Sequence, residues 1–239
     1  MGIHFKNFIL AWSLCGVSVW GAGIQNIGPG TLEEVKAEGA VVLDGTHVRS
    51  KTRVEGSFEA SKADLNTLKV NGSARVKDSR VRGKTSVDGA LQAEKVIFAD
   101  IRVNGGADLT NSTVKGQTKI DGGLNVEQSV FEALKVNGGV NLSQSQIKGE
   151  AIINGGMVAK ETSFEKHLTV AAEKIEFHHV KLSSLHVQDI GKSTKVQRVF
   201  LKGNTLVKGD IVFDENGEVL MEPGAKIQGT VKNGKIVAL

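Results

Sequence analysis

The sequence contains few of the residues that form disulfides or large aromatic cores. Of its 239 residues one is Cys, two are Pro and none is Tyr, and aromatic residues make up 5% of the chain. A single Cys excludes an intramolecular disulfide framework. The formal charge of +4 is a mild excess that by itself implies no polyanionic partner. Stability must therefore come from packing and from backbone hydrogen bonds.

Long apolar runs are also scarce, and the clearest one is N-terminal. Lys6, the apolar stretch from Phe8 to Trp20 and the small residues Gly21 to Gly23 predict a secretory signal peptide over residues 1–23. The stretch is short for a bilayer span, so we expect cleavage, with an uncleaved anchor as the alternative. Cleavage removes Cys15, the only thiol, and leaves no membrane span. These features predict an exported protein of the periplasm, the cell surface or the medium.

Glycine, in contrast, is abundant and regularly spaced. The chain holds 29 Gly, and one series returns at alternating intervals of 17 and 16 residues. Its members are Gly39, Gly56, Gly72, Gly89, Gly105, Gly122, Gly138 and Gly155. A period this short predicts a solenoid whose coils bury apolar surface only against their neighbours.

Apolar and small residues occupy fixed positions relative to each glycine of this series. They form pairs separated by two residues, as strands do. In the coil that starts at Gly72, these pairs are Ala74/Val76, Ser79/Val81 and Thr85/Val87. Three inward pairs per coil predict an all-β fold, a single-stranded triangular parallel β-helix of about 11 coils of 16–20 residues.

Large and small inward residues alternate between successive coils. Phe58 is followed one coil later by Ala74, and Leu91 by Ala107. Such alternation lets stacked layers interdigitate without voids. The 16-residue coils carry Leu or Phe at their middle inward stretch and lose one residue just after it. We expect this loss to make room for the bulky side chain.

The corner glycine is expected to adopt positive φ, which costs glycine little. Asn71, Asp88 and the equivalent residues before each glycine are expected to stack as a side-chain ladder. A calcium column is rejected, because only every second coil supplies a carboxylate here. The expected organisation is a polar lead at 24–36, a regular solenoid at 37–170, and irregular coils with a cap at 171–239.

Catalytic patterns are missing from the sequence. There is no clustered carboxylate pair, nucleophile elbow or phosphate-binding glycine loop, and the regular coils leave no loop long enough to build a cleft. We therefore predict a protein that is not an enzyme and has no cofactor and no small-molecule substrate.

Basic residues recur at one outward position of the coil. Basic residues stand immediately before the last inward residue of most coils, and we call them the basic stripe: Arg53, Lys69, Arg102, Lys119 and Lys135, with Ser86 on the intervening rung. Such a column is a candidate site for a polyanion such as an acidic glycan. The alternative is a solvated face that discourages lateral pairing of sheets. No aromatics are interleaved with the stripe, so we expect no specific nucleic-acid site.

Four of the six histidines fall where the glycine series stops: His167, His178, His179 and His186. Histidine is a common metal ligand, but His178 and His179 are adjacent and would point to opposite faces of a strand. We therefore assign no metal site and interpret these histidines as surface or cap residues.

The repeat resembles that of the bactofilin-like, polymer-forming β-helix proteins. The runs that carry the resemblance are Val87-Asp88-Gly89, Val103-Asn104-Gly105 and Ile120-Asp121-Gly122, with the turns Val81-Arg82-Gly83 and Val114-Lys115-Gly116. The resemblance implies an unliganded triangular β-helix whose copies join end to end in cytoskeletal filaments. The export signal departs from that family and argues against a cytoplasmic scaffold.

These observations favour a non-enzymatic, exported structural or scaffold β-solenoid of the cell envelope. Its ends must be either capped or joined end to end with other copies, and the irregular coils after Ser193 are more typical of caps. The alternative is a secreted adhesin or effector-type module that recognises acidic glycans of the envelope through the basic stripe.

Overall fold

The structure is a computed structural model that describes residues 7–9, 18–191 and 196–239. The chain divides into two compact units, Met1–Gly116 and Gln117–Leu239. Most of the predicted signal peptide (1–23), including Cys15, lies outside the described residues. Nothing among the described residues forms a helix with the length and apolarity needed to cross a membrane.

The described residues form strands and no helix. The first unit contains β1 (Asn7–Ile9), β2 (Ser18–Ile27), β3 (Gly30–Leu32), β4 (Glu34–Asp44), β5 (Thr46–Glu55), β6 (Phe58–Ser61), β7 (Asp64–Val70), β8 (Ala74–Lys77), β9 (Arg80–Val87), β10 (Leu91–Glu94), β11 (Ile97–Val103) and β12 (Ala107–Thr110). The strand that runs through the division at Gly116 is β13 (Thr113–Ile120). The second unit continues with β14 (Leu124–Glu127), β15 (Val130–Val136), β16 (Val140–Ser143), β17 (Gln146–Ile147), β18 (Ala151–Asn154), β19 (Met157–Lys160), β20 (Ser163–Ala171), β21 (Lys174–His178), β22 (Lys181–Val187), β23 (Gln197–Lys202), β24 (Leu206–Val207), β25 (Ile211–Met221), β26 (Lys226–Ile227) and β27 (Val231–Ala238).

These strands pair in parallel from one coil to the next, so the predicted parallel β-solenoid is confirmed, with about 12 turns. Leu91 of β10, for example, lies beside Ala74 of β8 on one side and Ala107 of β12 on the other. A large side chain thus packs between two small ones, as the size alternation predicted. In the first unit the pairing begins before residue 37, because Ile27 of β2 lies beside Leu43 of β4.

The extra residue of each 17-residue coil lies where the sequence placed it. Between β7 and β9 the register shifts, so that Leu65 pairs with Val81 but Leu68 pairs with Thr85. The additional residue falls next to Gly83, and Gly149 occupies the equivalent position in a later long coil. A Cβ atom at Gly149 would clash with the carbonyl oxygen of Glu132. At Gly149 the turn therefore has room for glycine only, whereas a Cβ atom at Gly83 would lie 3.1 Å from its nearest neighbours.

The expected positive φ at the corner glycines is wrong for most of them. Within the series only Gly39, Gly56 and Gly155 have positive φ. The reason for glycine is instead the close approach of stacked backbones. A Cβ atom at Gly72 would lie 2.8 Å from the carbonyl carbon of Gly56, and one at Gly89 would lie 2.8 Å from that of Gly72. Each glycine removes the Cβ that would push two coils apart.

Left-handed backbone occurs at a different corner, six residues after each glycine of the series. Gly45 occupies this corner in the first coil, and residues other than glycine occupy it in the later coils. Lys62, Asp78 and Lys95 have φ of 50°, 47° and 54°, and Gln128, Gln144 and Glu161 each have φ of 49°. This conformation is unusual for residues with a Cβ, so neighbouring contacts must stabilise it.

A buried hydroxyl directly after this corner provides one such contact. The Ser79 hydroxyl donates a hydrogen bond to the Lys77 carbonyl (2.6 Å) and accepts one from the backbone N–H of Ala63 in the preceding coil (2.9 Å). The same pair of bonds recurs at Ser112, Ser145 and Thr162. The hydroxyl therefore closes the turn and satisfies a buried backbone donor.

Among the described residues, three other buried hydroxyls have no hydrogen-bond partner within the protein: Thr52, Thr85 and Thr118, which lie 33 residues apart. Thr85 is fully buried, with Leu68 and Ile101 beside it on the neighbouring coils. A buried hydroxyl without a partner lowers stability, because it loses its bonds to water without replacement.

We expect Thr85→Val to raise the free energy of unfolding by about 1 kcal/mol, because valine keeps the shape and removes the unsatisfied hydroxyl. Chemical denaturation of the two proteins would measure the difference. Ser79→Ala is the matched control, since it removes a buried hydroxyl that has partners and should lower stability. A loss of stability in Thr85→Val would contradict this assignment.

Candidate functional site

The basic stripe of the first unit is a continuous column on one outer sheet face. Arg53 of β5 pairs with Lys69 of β7, which pairs with Ser86 of β9, and Ser86 pairs with Arg102 of β11. The pairing also adds Lys36 of β4, directly beside Arg53. Sequence reasoning missed Lys36 because it placed residues 24–36 in a polar lead.

The charge of the stripe is partly offset by carboxylates on the adjacent corner. Arg53 donates two hydrogen bonds to Oε1 of Glu55, at 3.1 and 2.9 Å, and the Asn71 amide donates to Oε2 at 2.7 Å. These bonds, together with the nearby Lys69 charge, hold the pKa of Glu55 below its usual value. The stripe is therefore a mixed surface, although cations predominate along the column itself.

In the second unit the stripe residues have different surroundings. Lys119 lies 3.8 Å from the carboxylate of Asp121. Lys135 of β15 pairs with Ile152 of β18, so an apolar residue occupies the next rung of the column. The cationic column does not extend along the following coil.

The predicted corner ladder is present. Asn104 donates to Asp88 at 2.6 Å, Asn137 donates to Asp121 at 2.6 Å, and Asn154 donates to Asn137 at 2.9 Å. Each amide donates to an acceptor one coil earlier, so the ladder links coils through side chains. Its role is structural.

The C-terminal edge of the second unit carries two exposed apolar side chains. Strand β27 pairs with β25 on one side, and no other strand of the described residues pairs with it. Ile236 of β27 continues the buried column formed by Val199 and Val219, which are both 0% exposed. Ile236 is 58% exposed and Leu239 is 55% exposed, on the side of β27 that no strand of the described residues covers. We call this surface the end edge.

Charged residues of β27 are bonded to the preceding coil. Lys235 lies 3.0 Å from Glu218, and Lys232 lies 2.7 Å from Asp210. The Asn233 amide donates to the Phe213 carbonyl at 2.9 Å. The bond from Lys232 is the main cause that lowers the pKa of Asp210 to about 2, and two bonds from Thr230 add to it. These side chains therefore point away from the open side of the end edge.

An ion network covers the outer face of the last coils. Glu176 of β21 accepts hydrogen bonds from Lys174 and Lys202, which together lower the pKa of Glu176 to about 2. The same two ammonium groups lie 5.3 and 5.5 Å from the centroid of the Phe200 ring. This outer face is therefore polar, in contrast to the end edge.

The four histidines separate into two sets. His178 lies 3.6 Å from Glu176, and Nδ1 of His179 accepts a hydrogen bond from the backbone N–H of Asn204 at 3.2 Å. His167 and His186 instead lie on one face, with ring centroids 6.1 Å apart. Among the described residues no three His, Cys, Asp or Glu side chains form a metal-binding group.

Surface depressions are shallow and lie along the sheet faces. One in the first unit has a volume of about 350 Å³ and is lined by Phe58, Arg75, Gln92 and small corner residues such as Ser57 and Ser73. Its lining contains a single carboxylate, Glu59, and no histidine or cysteine. The absence of catalytic activity stays a prediction.

Comparisons of the chain with protein-family models, with curated proteins and with solved structures found no match. The resemblance to bactofilin-like proteins therefore stays a prediction that depends on the repeat itself.

Proposed function

We propose that this protein is a non-enzymatic structural β-solenoid whose copies assemble through the end edge. The observation that carries the proposal is the exposed Ile236, which continues a column of fully buried residues on a strand that is paired along one edge only. Burying a side chain of this size stabilises an interface by about 1.5–3 kcal/mol. Pairing would also satisfy the free backbone groups of β27.

A second copy of this chain is the occupant we propose for the end edge. Strand β27 pairs with β25 in parallel, as β25 pairs with β23. A coil of a second copy could therefore pair with β27 at the same strand spacing. Proteins commonly block such edges with lysines. Here Lys232 and Lys235 bond back to Asp210 and Glu218 and leave the edge open.

Sedimentation velocity over a range of protein concentrations tests the proposal. We expect the wild type to form larger species as the concentration rises and Ile236→Lys to stay monomeric, because the added charge would be buried at the interface. Val196→Lys is the matched control, since Val196 is 43% exposed and directly precedes β23, which β25 separates from β27. A monomeric wild type at every concentration would contradict the proposal, as would equal effects of the two variants.

Export to the cell envelope belongs to this proposal. It is supported by the signal-peptide pattern of residues 1–23, where an apolar stretch follows Lys6 and ends at small residues. Fractionation of cells that express the full chain, followed by N-terminal sequencing of the exported product, would test both export and cleavage.

A second candidate function is the binding of acidic glycans, and the register of the basic stripe favours it. Lys36, Arg53 and Lys69 occupy three consecutive rungs, although like charges on adjacent rungs repel each other. A polyanion would offset that repulsion.

Glycan binding predicts salt-dependent retention on an acidic polysaccharide, because bound counterions are released when cations contact the polymer. The variant in which the four basic residues of the first-unit column become Ser should lose retention; these are Lys36, Arg53, Lys69 and Arg102. A control with the same change in charge replaces lysines outside the stripe: Lys115, Lys148, Lys160 and Lys181. Equal retention of both variants would exclude the stripe as the site.

A further inference from the structure

Two of the four clustered histidines come together on one outer face of the second unit. His167 lies on β20 and His186 lies on β22, and their rings are tilted by 34° with centroids 6.1 Å apart. The pairing of β20 with β22 sets this geometry, since His167 lies beside Ser184 and His186 lies beside Thr169. The two imidazoles are therefore diagonal neighbours on adjacent strands.

Each imidazole is held by a hydrogen bond through one of its two nitrogens. Nδ1 of His167 is 2.7 Å from the Ser184 hydroxyl, and Nε2 of His186 is 2.6 Å from Oδ1 of Asp214. The second oxygen of Asp214 accepts a hydrogen bond from the backbone N–H of Asp189 at 3.1 Å. The second nitrogen of each ring, Nε2 of His167 and Nδ1 of His186, lies outside these bonds.

The separation of the two rings allows both imidazoles to bind one transition-metal ion. With metal–nitrogen bonds of about 2.0–2.1 Å, two imidazoles on one ion have ring centroids about 5–6.5 Å apart. The separation of 6.1 Å lies in that range. Metal-binding histidines usually donate their other N–H to a carboxylate or another oxygen, which fixes the tautomer and the ring orientation. Asp214 and Ser184 provide oxygens in those positions.

We propose that His167 and His186 together bind a divalent transition-metal ion, with Cu²⁺ as the ion of highest affinity. Imidazole ligands suit Cu²⁺, Ni²⁺ and Zn²⁺, and Cu²⁺ binds most tightly in this series. Two protein nitrogens leave the remaining coordination positions to water or to a ligand from outside the chain. The site lies apart from the end edge, so the result of a metal-binding experiment does not depend on the proposed assembly.

The neighbouring histidines supply a natural control. His178 lies 3.6 Å from Glu176 and is paired with Lys202 on the neighbouring strand, and it is not a member of the pair formed by His167 and His186. His178→Ala therefore changes a histidine of the same region without touching the proposed site.

Titration of the full chain with Cu²⁺, followed by calorimetry and electron paramagnetic resonance, tests the proposal. We expect a site with two nitrogen ligands in the wild type and in His178→Ala. His167→Ala and His186→Ala should each remove one nitrogen from the spectrum and weaken binding strongly. Asp214→Asn should weaken it by about 10- to 100-fold, the usual effect of losing a carboxylate partner of a metal-binding histidine.

The double variant His167→Ala/His186→Ala keeps the other histidines and reports any binding elsewhere on the chain. Circular dichroism would establish that each variant is folded. Unchanged affinity in the double variant would overturn the proposal, as would a wild-type spectrum with a single nitrogen ligand.

Discussion

Replacing Gly138 by alanine is expected to destabilise the second unit by about 3 kcal/mol or more, the upper range for groups forced into packed space. The new Cβ would lie 2.6 Å from the carbonyl carbon of Gly122, closer than real Cβ atoms approach any atom. The obstacle is backbone in the neighbouring coil, so no side-chain rotation relieves it. The two coils must separate, and the parallel pairing between them must weaken.

Gly139→Ala is the matched control for this variant. A Cβ atom at Gly139 would find its nearest neighbour, the Gly156 carbonyl oxygen, 3.9 Å away. We expect a change of less than about 1 kcal/mol there, since neither a clash nor positive φ is involved. Guanidinium denaturation of both variants would measure the difference. Similar midpoints would contradict the close-approach explanation of the glycine series.

The second large effect is expected for Phe98→Ala, at about 3–5 kcal/mol. The Phe98 side chain is fully buried beside Val81 of the preceding coil. Its coil has 16 residues, and the residue that would follow Phe98 in a longer coil is missing. The space left by alanine cannot be refilled easily, because stacked strands fix the coil spacing.

Phe200→Ala provides the comparison for this core substitution. Phe200 lies on the outer face under Lys174 and Lys202 and is only partly buried. We expect a loss of about 1 kcal/mol or less, because its removal opens no cavity. Thermal and chemical unfolding would rank the two variants. Equal losses would show that the inward positions do not form the core.

The sequence predicted the coils well because inward residues recur at fixed distances from each glycine. It predicted the reason for glycine wrongly. Positive φ and close backbone approach both select glycine, and a one-dimensional pattern does not distinguish them. Only the three-dimensional stacking of the coils shows that Gly72 faces the carbonyl group of Gly56.

The left-handed corner was missed because its residues have no common type. Lys62, Asp78 and Gln128 share φ near 50° but no chemistry. The available signal was the small residue one position later, such as Ser79, whose hydroxyl bonds fix the turn. In the sequence pattern, only its small size places that residue among the inward positions.

Parts of the candidate sites also depended on information that the repeat does not carry. The column of Arg53 and Lys69 followed directly from the coil length, whereas the bond from Arg53 to Glu55 required side-chain positions. His167 and His186 lie beyond the regular glycine series, where a register shift between Phe164 and His167 changes the alignment of neighbouring coils. The proximity of these two histidines could not be derived by counting residues from the glycines of the series.

Electron microscopy of the purified protein is the measurement that tests the proposed function most directly. Assembly through the end edge predicts filaments in which β27 of one copy pairs with a strand of the next, so that the coil spacing of about 4.8 Å continues across the junction. Ile236→Lys should abolish these filaments, and Val196→Lys should retain them. Separate particles at every concentration, or filaments whose junction excludes β27, would contradict assembly through the end edge.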